Sequence, residues 1–119
     1  MNRRELGRAG ETLAEELLRS LGYDVLEKNY RCRLGEIDLI ARDGASLVFV
    51  EVKTRRSKAF GEASEAITRD KKMRLARLAR FFLVERNLGE VLCRFDVVVV
   101  NWPIAIGGKP VCELIQNAF

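Results

Sequence analysis

Histidine is absent from this sequence of 119 residues. Ser-His-Asp and Cys-His catalysis are therefore excluded, as is any metal site that needs imidazole. Hydrolytic chemistry would have to use carboxylates, lysine and a hard, oxygen-preferring cation such as Mg²⁺. Cysteine is scarce and scattered: Cys32, Cys93 and Cys112 form no C-x-x-C pair. That argues against a disulfide framework or a zinc site, and the three read as buried small residues. Apolar runs long enough to span a bilayer are missing too. The first residues form a charged amphipathic helix rather than a basic-then-apolar leader. The expectation is a soluble, cytoplasmic protein that makes no use of a membrane or of a small-molecule organic cofactor. No internal repeat, low-complexity stretch or linker interrupts the chain, and its length fits one domain over 1–119. The net charge of +4 suits a polyanionic partner, although so small an excess carries little weight alone.

What is present is strong periodicity. From Asn2 to Leu21, Leu6, Ala9, Leu13, Ala14, Leu17, Leu18 and Leu21 recur at helical spacing, and Gly22 follows as a C-cap. Tyr23 to Lys28 alternates as an outer strand, and Asn29 to Leu34 is a polar, basic loop or strand extension. Glu36 to Arg42 and Leu47 to Lys53 are strands around the turn Asp43-Gly44-Ala45-Ser46. Thr54 to Gly61 reads as a basic loop carrying Arg55, Arg56 and Lys58. A helical pattern runs from about Ser64 to Asn87, with a break near Arg69-Asp70. Phe95 to Val100 includes four consecutive valines, as in a strand covered on both faces. Pro103 and Gly107-Gly108 mark turns, and Val111 to Ile115 reads as a last edge strand. The order α-β-β-β-α-β predicts an α/β fold, a mixed sheet flanked by helices.

The chemistry concentrates on the hairpin. Strand side chains alternate, so Leu47, Phe49, Glu51 and Lys53 share one face, and Glu36, Asp38 and Ile40 share one face of the preceding strand. Any loop with an even residue count puts Asp38 and Glu51 on the same side. A loop of Gly44-Ala45, or of Asp43 to Ser46, sets them directly opposite and turns Glu36 toward Lys53; an Asp43-Gly44 turn makes them diagonal neighbours. Their Cβ atoms would then be roughly 4.5–8 Å apart, and such like charges destabilise a sheet. A divalent cation between them would offset the repulsion, activate water and polarise a phosphoryl oxygen without histidine. The ammonium of Lys53 would orient that water or stabilise developing charge. The bland alternative is a hairpin whose exposed charges form ion pairs worth little.

Gly35-Glu36-Ile37-Asp38-Leu39-Ile40-Ala41 and Val48-Phe49-Val50-Glu51-Val52-Lys53-Thr54-Arg55 resemble the signature of the YraN-type family of bacterial proteins. Gly10-Glu11 with Ala14, Phe60-Gly61, Lys71 and Arg94-Phe95-Asp96-Val97-Val98 fit the same pattern. More broadly the chain is similar to archaeal Holliday-junction resolvases and the PD-(D/E)xK nuclease superfamily. That resemblance implies a restriction endonuclease-like core. It also implies Mg²⁺ or Mn²⁺ held by Asp38, Glu51 and the backbone carbonyl of Val52, with Lys53 catalytic. Ile37 stands where the superfamily name has proline, as resolvases also lack it. Periodicity places Glu11 and Glu16 on opposite margins of the first helix's apolar face. The resemblance favours Glu11 as a further metal-site and catalytic carboxylate.

Arg55, Arg56 and Lys58 would hold phosphates near the metal, and Arg31 and Arg33 would extend the patch. Lys71, in line with Leu75, Leu78 and Phe82, either snorkels out or reaches the site to contact phosphate. Arg74, Arg77 and Arg80 read as a solvated basic face, and Trp102 as packing rather than a base-stacking platform. The expected function is metal-dependent cleavage of DNA, branched DNA among the candidates. The rivals are a non-catalytic nucleic-acid-binding protein with a nuclease-like fold, and a scaffold for protein assembly. Resolvases act as dimers, so the resemblance leaves a homodimer open.

Overall fold

The protein is represented by a computed structural model, in which residues 2–56, 69–104 and 107–118 are described. Helix α1 spans Arg3–Ser20. Asn2 caps it, its side chain accepting from the Glu5 N–H at 2.8 Å, while Glu5 accepts from the Asn2 amide. The expected end at Gly22 is a Schellman turn. Gly22, at φ +91°, donates to the Arg19 carbonyl and Tyr23 donates to the Leu18 carbonyl. Helix α2, Arg69–Glu85, closes the same way, with Asn87 at φ +53° in the glycine's place. Its expected start at Ser64 lies outside the described residues, as do Lys58 and Phe60-Gly61.

The strands β1 (Asp24–Cys32), β2 (Gly35–Asp43), β3 (Ser46–Arg56), β4 (Leu92–Trp102) and β5 (Val111–Ile115) form one sheet in chain order. Only β3 and β4 run parallel; the other neighbours are antiparallel. This is the predicted mixed α/β sheet flanked by helices, with the final edge strand in place. β3 is longer than predicted: Thr54, Arg55 and Arg56 are strand residues paired with Val100, Asn101 and Trp102, not loop. Parallel pairing to β4 carries the ladder on past Lys53, and a local reading of basic residues could not foresee that. β1 likewise extends through Cys32 by pairing with Gly35.

One helix covers each face. Ala14 and Leu18 of α1 pack with Leu39, Ala41, Val48, Val50, Val98 and Val100. Leu75, Leu78, Ala79 and Phe82 of α2 pack with Tyr30, Ile37, Ile40, Leu47 and Phe49. Val97 to Val100 are all buried, as a doubly covered strand requires. The cysteines depart from expectation, since Cys93 is exposed and Cys32 and Cys112 are half-buried. Among the described residues, no helix is long and apolar enough to cross a membrane.

Alternation fails at a bulge between Val25 and Glu27 and again beside the carboxylates. Ile37 belongs to the α2 side and Leu39, two residues on, to the α1 side. The break falls at Asp38, in both strands at once. On β1, Tyr30 joins the α2 side while Lys28 pairs with Glu15 of α1, and Asn29 between them sits at φ +53°. A left-handed residue inside a strand re-aims its neighbours, and asparagine tolerates that conformation better than most.

Candidate metal and phosphate site

The hairpin turn is even. Asp43 pairs with Ser46 across Gly44-Ala45, and the ladder runs on to Leu39 opposite Val50, so the next step along the register is Asp38 and Glu51. The break in alternation then separates them. Asp38 turns toward α1, where its Oδ2 accepts the Val52 N–H at 2.8 Å. Glu51 keeps the alternation of Phe49 and forms an ion pair with Lys71 of α2. The expectation of two carboxylates side by side on an unbroken ribbon is therefore corrected. They remain electrostatic neighbours, because Glu51's charge helps to raise the Asp38 pKa.

The three carboxylates that do converge come from two elements. Oxygens of Glu11 on α1 and of Glu36 and Asp38 on β2 all lie within 4.8 Å of one another. Glu11 arrives there because α1 crosses β3 closely at Gly10. A Cβ at that position would lie 2.1 Å from Thr54 Oγ1 and 3.1 Å from Thr54 Cβ. Asn29, with its left-handed backbone, lines the same groove as Glu11 and lowers the Glu11 pKa. Glu36 pairs with Arg31 across the strands at 3.2 Å.

Electrostatics single out Asp38. Burial, reinforced by Glu11, Glu51 and Glu36, pushes its pKa up to about 6 against the pull of the Val52 N–H. Burial also raises Glu11, with Glu36 adding to the effect and Asn29, Arg31 and Arg8 opposing it. Clustered, partly desolvated carboxylates are costly unless a cation joins them. The donor set is all hard oxygen, which suits Mg²⁺ or Mn²⁺.

Two grooves meet at Glu11. One, of about 780 Å³, holds Asp38, Val52, Thr54, Arg55 and Arg56; the other, of about 400 Å³, holds Glu36, Asn29 and Arg31. Of the basic residues expected near the site, Arg31, Arg55 and Arg56 thus line these grooves, and Lys71 reaches Glu51. Arg33 lies instead over the Phe81 ring of α2, 5.7 Å from its centroid. Lys53 follows Glu51 by two on β3 and pairs in register with Val99. Trp102 packs against the α1-side core.

Sequence reasoning missed Glu36 as a member of the cluster, and Arg3, Arg4 and Arg8, which also line the grooves. Their positions at i, i+1 and i+5, beside Gly7 and Glu11, were the available signal.

The model of a family described as "Uncharacterised protein family UPF0102" matches residues 10–100 of the chain. A UPF0102 protein of Caldicellulosiruptor saccharolyticus is 48% identical over 119 residues, covering 100% of both chains. Another, from Symbiobacterium thermophilum, is 51% identical over 116 residues, covering 98% of this chain and 97% of its own. A third, from Moorella thermoacetica, is 50% identical over 119 residues, covering 100% and 98%.

Proposed function

The chain belongs to the UPF0102 family, and from that premise we propose that it is a metal-dependent endonuclease hydrolysing DNA phosphodiester bonds, branched DNA among its substrates. One observation carries the reading. A half-buried aspartate, its pKa pushed up to about 6 by its surroundings, meets two more carboxylates at the junction of two arginine-lined grooves. Such a site favours a cation in its centre and a polyanion along its rim.

Glu11, Glu36 and Asp38 would hold Mg²⁺ or Mn²⁺. Val52 borders the same groove, and Glu51, paired with Lys71, acts on Asp38 electrostatically. Once bound, the ion would supply Lewis-acid polarisation and acidified water. Lys53 would stabilise charge that develops on the phosphoryl group. Arg31, Arg55 and Arg56 would hold flanking phosphates and set register without reading bases.

The test is cleavage of labelled duplex, single-stranded, flap and four-way-junction DNA in Mg²⁺, Mn²⁺ or chelator. Cleavage should require the cation and vanish in Asp38→Ala and Lys53→Ala. Cleavage persisting undiminished in both variants would trace to a contaminant and remove the proposal. The Glu51–Lys71 ion pair favours a second reading, a non-catalytic nucleic-acid-binding protein, because one carboxylate is already neutralised by a side chain. Mg²⁺-dependent thermal stabilisation lost in Asp38→Ala supports the enzyme. DNA affinity indifferent to Asp38→Ala, without metal-dependent stabilisation, supports the binder.

A further inference from the structure

α1 carries two interior glycines three residues apart, and the fold accounts for only one of them. Gly10 is buried against Thr54, where a Cβ would collide. At Gly7 a Cβ would meet nothing within 4 Å. Glycine inside a helix is less stable than alanine at the same place, and here no neighbour in the described chain demands it.

The surroundings of Gly7 show what it leaves room for. Arg3, Gly7 and Glu11, spaced by four, share one face of α1 and line both grooves. Arg3, Arg4 and Arg8 are exposed, and among the described residues their side chains form no ion pair. Positive charge in the first turn opposes the helix dipole, and Glu5 is the one acid there. Glycine with no steric reason, beside unfavourably placed arginines, is what close approach of a phosphate-bearing ligand requires.

We propose that Gly7, with Arg3, Arg4 and Arg8, forms a seat where a nucleic-acid strand lies against α1 as it enters the carboxylate cluster. This rests on the nuclease reading for the identity of the strand. It adds the path of that strand, along the Arg3–Gly7–Glu11 face of α1. Arginines flank the carboxylates on two sides: Arg55 and Arg56 in one groove, and Arg31, Arg4 and Arg8 in the other. A strand threaded between them presents an internal phosphodiester to Asp38.

The experiment measures binding of labelled single-stranded and duplex oligonucleotides in chelator, across a salt series. Wild type is compared with Gly7→Ala, Gly7→Leu and the triple change Arg3→Gln, Arg4→Gln, Arg8→Gln. Gly7→Ala should raise Tm, because it gains helix propensity where space is open. Gly7→Leu should stay folded by circular dichroism yet bind on the order of tenfold more weakly or worse. The triple variant should lose about 0.7–0.9 of salt slope for each phosphate contact removed. Wild-type affinity and slope in both folded variants would overturn the seat. If wild type binds with a steep salt slope but never cleaves in Mg²⁺ or Mn²⁺, the nuclease reading fails and the seat stands. If Gly7→Leu and the triple variant both bind and cleave as wild type does, the seat fails and the nuclease reading stands.

Discussion

Two aspartates on the α1 side of the sheet are treated in opposite ways. Asp96 on β4 is 1% exposed and fully supplied with donors. Arg94 grips it with Nε at 2.9 Å and Nη2 at 3.1 Å, Tyr23 donates at 2.9 Å, and the Asn117 N–H donates at 2.9 Å. Arg94 also reaches Asp43 at 3.0 Å, so the cluster ties β4 to the hairpin and to the chain after β5. Its guanidinium is held more strongly protonated by Asp96 and Asp43. Asp38 accepts the Val52 N–H and has three carboxylates raising its pKa. One arrangement spends its polar groups on holding the fold, and the other gathers like charges beside an open groove. Stability and proposed activity should therefore separate between the two.

The sharpest way to break that contrast is to remove each aspartate. Asp38→Ala should cost several kcal/mol of transition-state stabilisation, on the order of a thousandfold in metal-dependent cleavage rate. It should do so without lowering Tm in chelator, because it relieves repulsion. Asp96→Ala should do the reverse, stranding Arg94 and lowering unfolding stability by about 3 kcal/mol, read from the denaturant midpoint. If Asp38→Ala unfolds the protein while Asp96→Ala does not, the division of labour is wrong.

A pH series refines the comparison. Asp38 titrates at about 6 in the folded chain against an ordinary value of 3.8. Between these values the folded state holds a proton that the unfolded state has released, so stability falls as pH rises through that window. The fall attributable to Asp38 is about 1–3 kcal/mol at 1.36 kcal/mol per unit, and Asp38→Asn should flatten it. Protons and metal compete for the same oxygens, so Mg²⁺-induced stabilisation should grow as pH rises through about 6. A flat metal response across that range would count against a site at Asp38.

Smaller effects follow from what positions each cluster. Gly10→Ala forces α1 away from Thr54, and should destabilise by about 1–2 kcal/mol despite alanine's better helix propensity. It should also weaken metal binding, through displacement of Glu11, in a calorimetric titration. Arg31→Ala removes only an exposed pair with Glu36 and should change stability by less than about 1 kcal/mol.

Amino-acid order by itself determined most of the scaffold. Apolar spacing and Gly22 set α1 and its end; the turn residues from Asp43 to Ser46 marked the hairpin; the valine run marked β4. Each is a local signal, a periodicity or a turn, that reads the same in any context. Tertiary structure decided the rest, because those features are non-local. Parallel pairing with β4 turned Thr54 to Arg56 into strand. The paired irregularity at Asn29 and Asp38 sent Asp38 toward Glu11 and Glu36 and left Glu51 to Lys71. Alternation fixes a face only while the ladder is unbroken. Which carboxylates meet depends on where it breaks and which helix lies over the break.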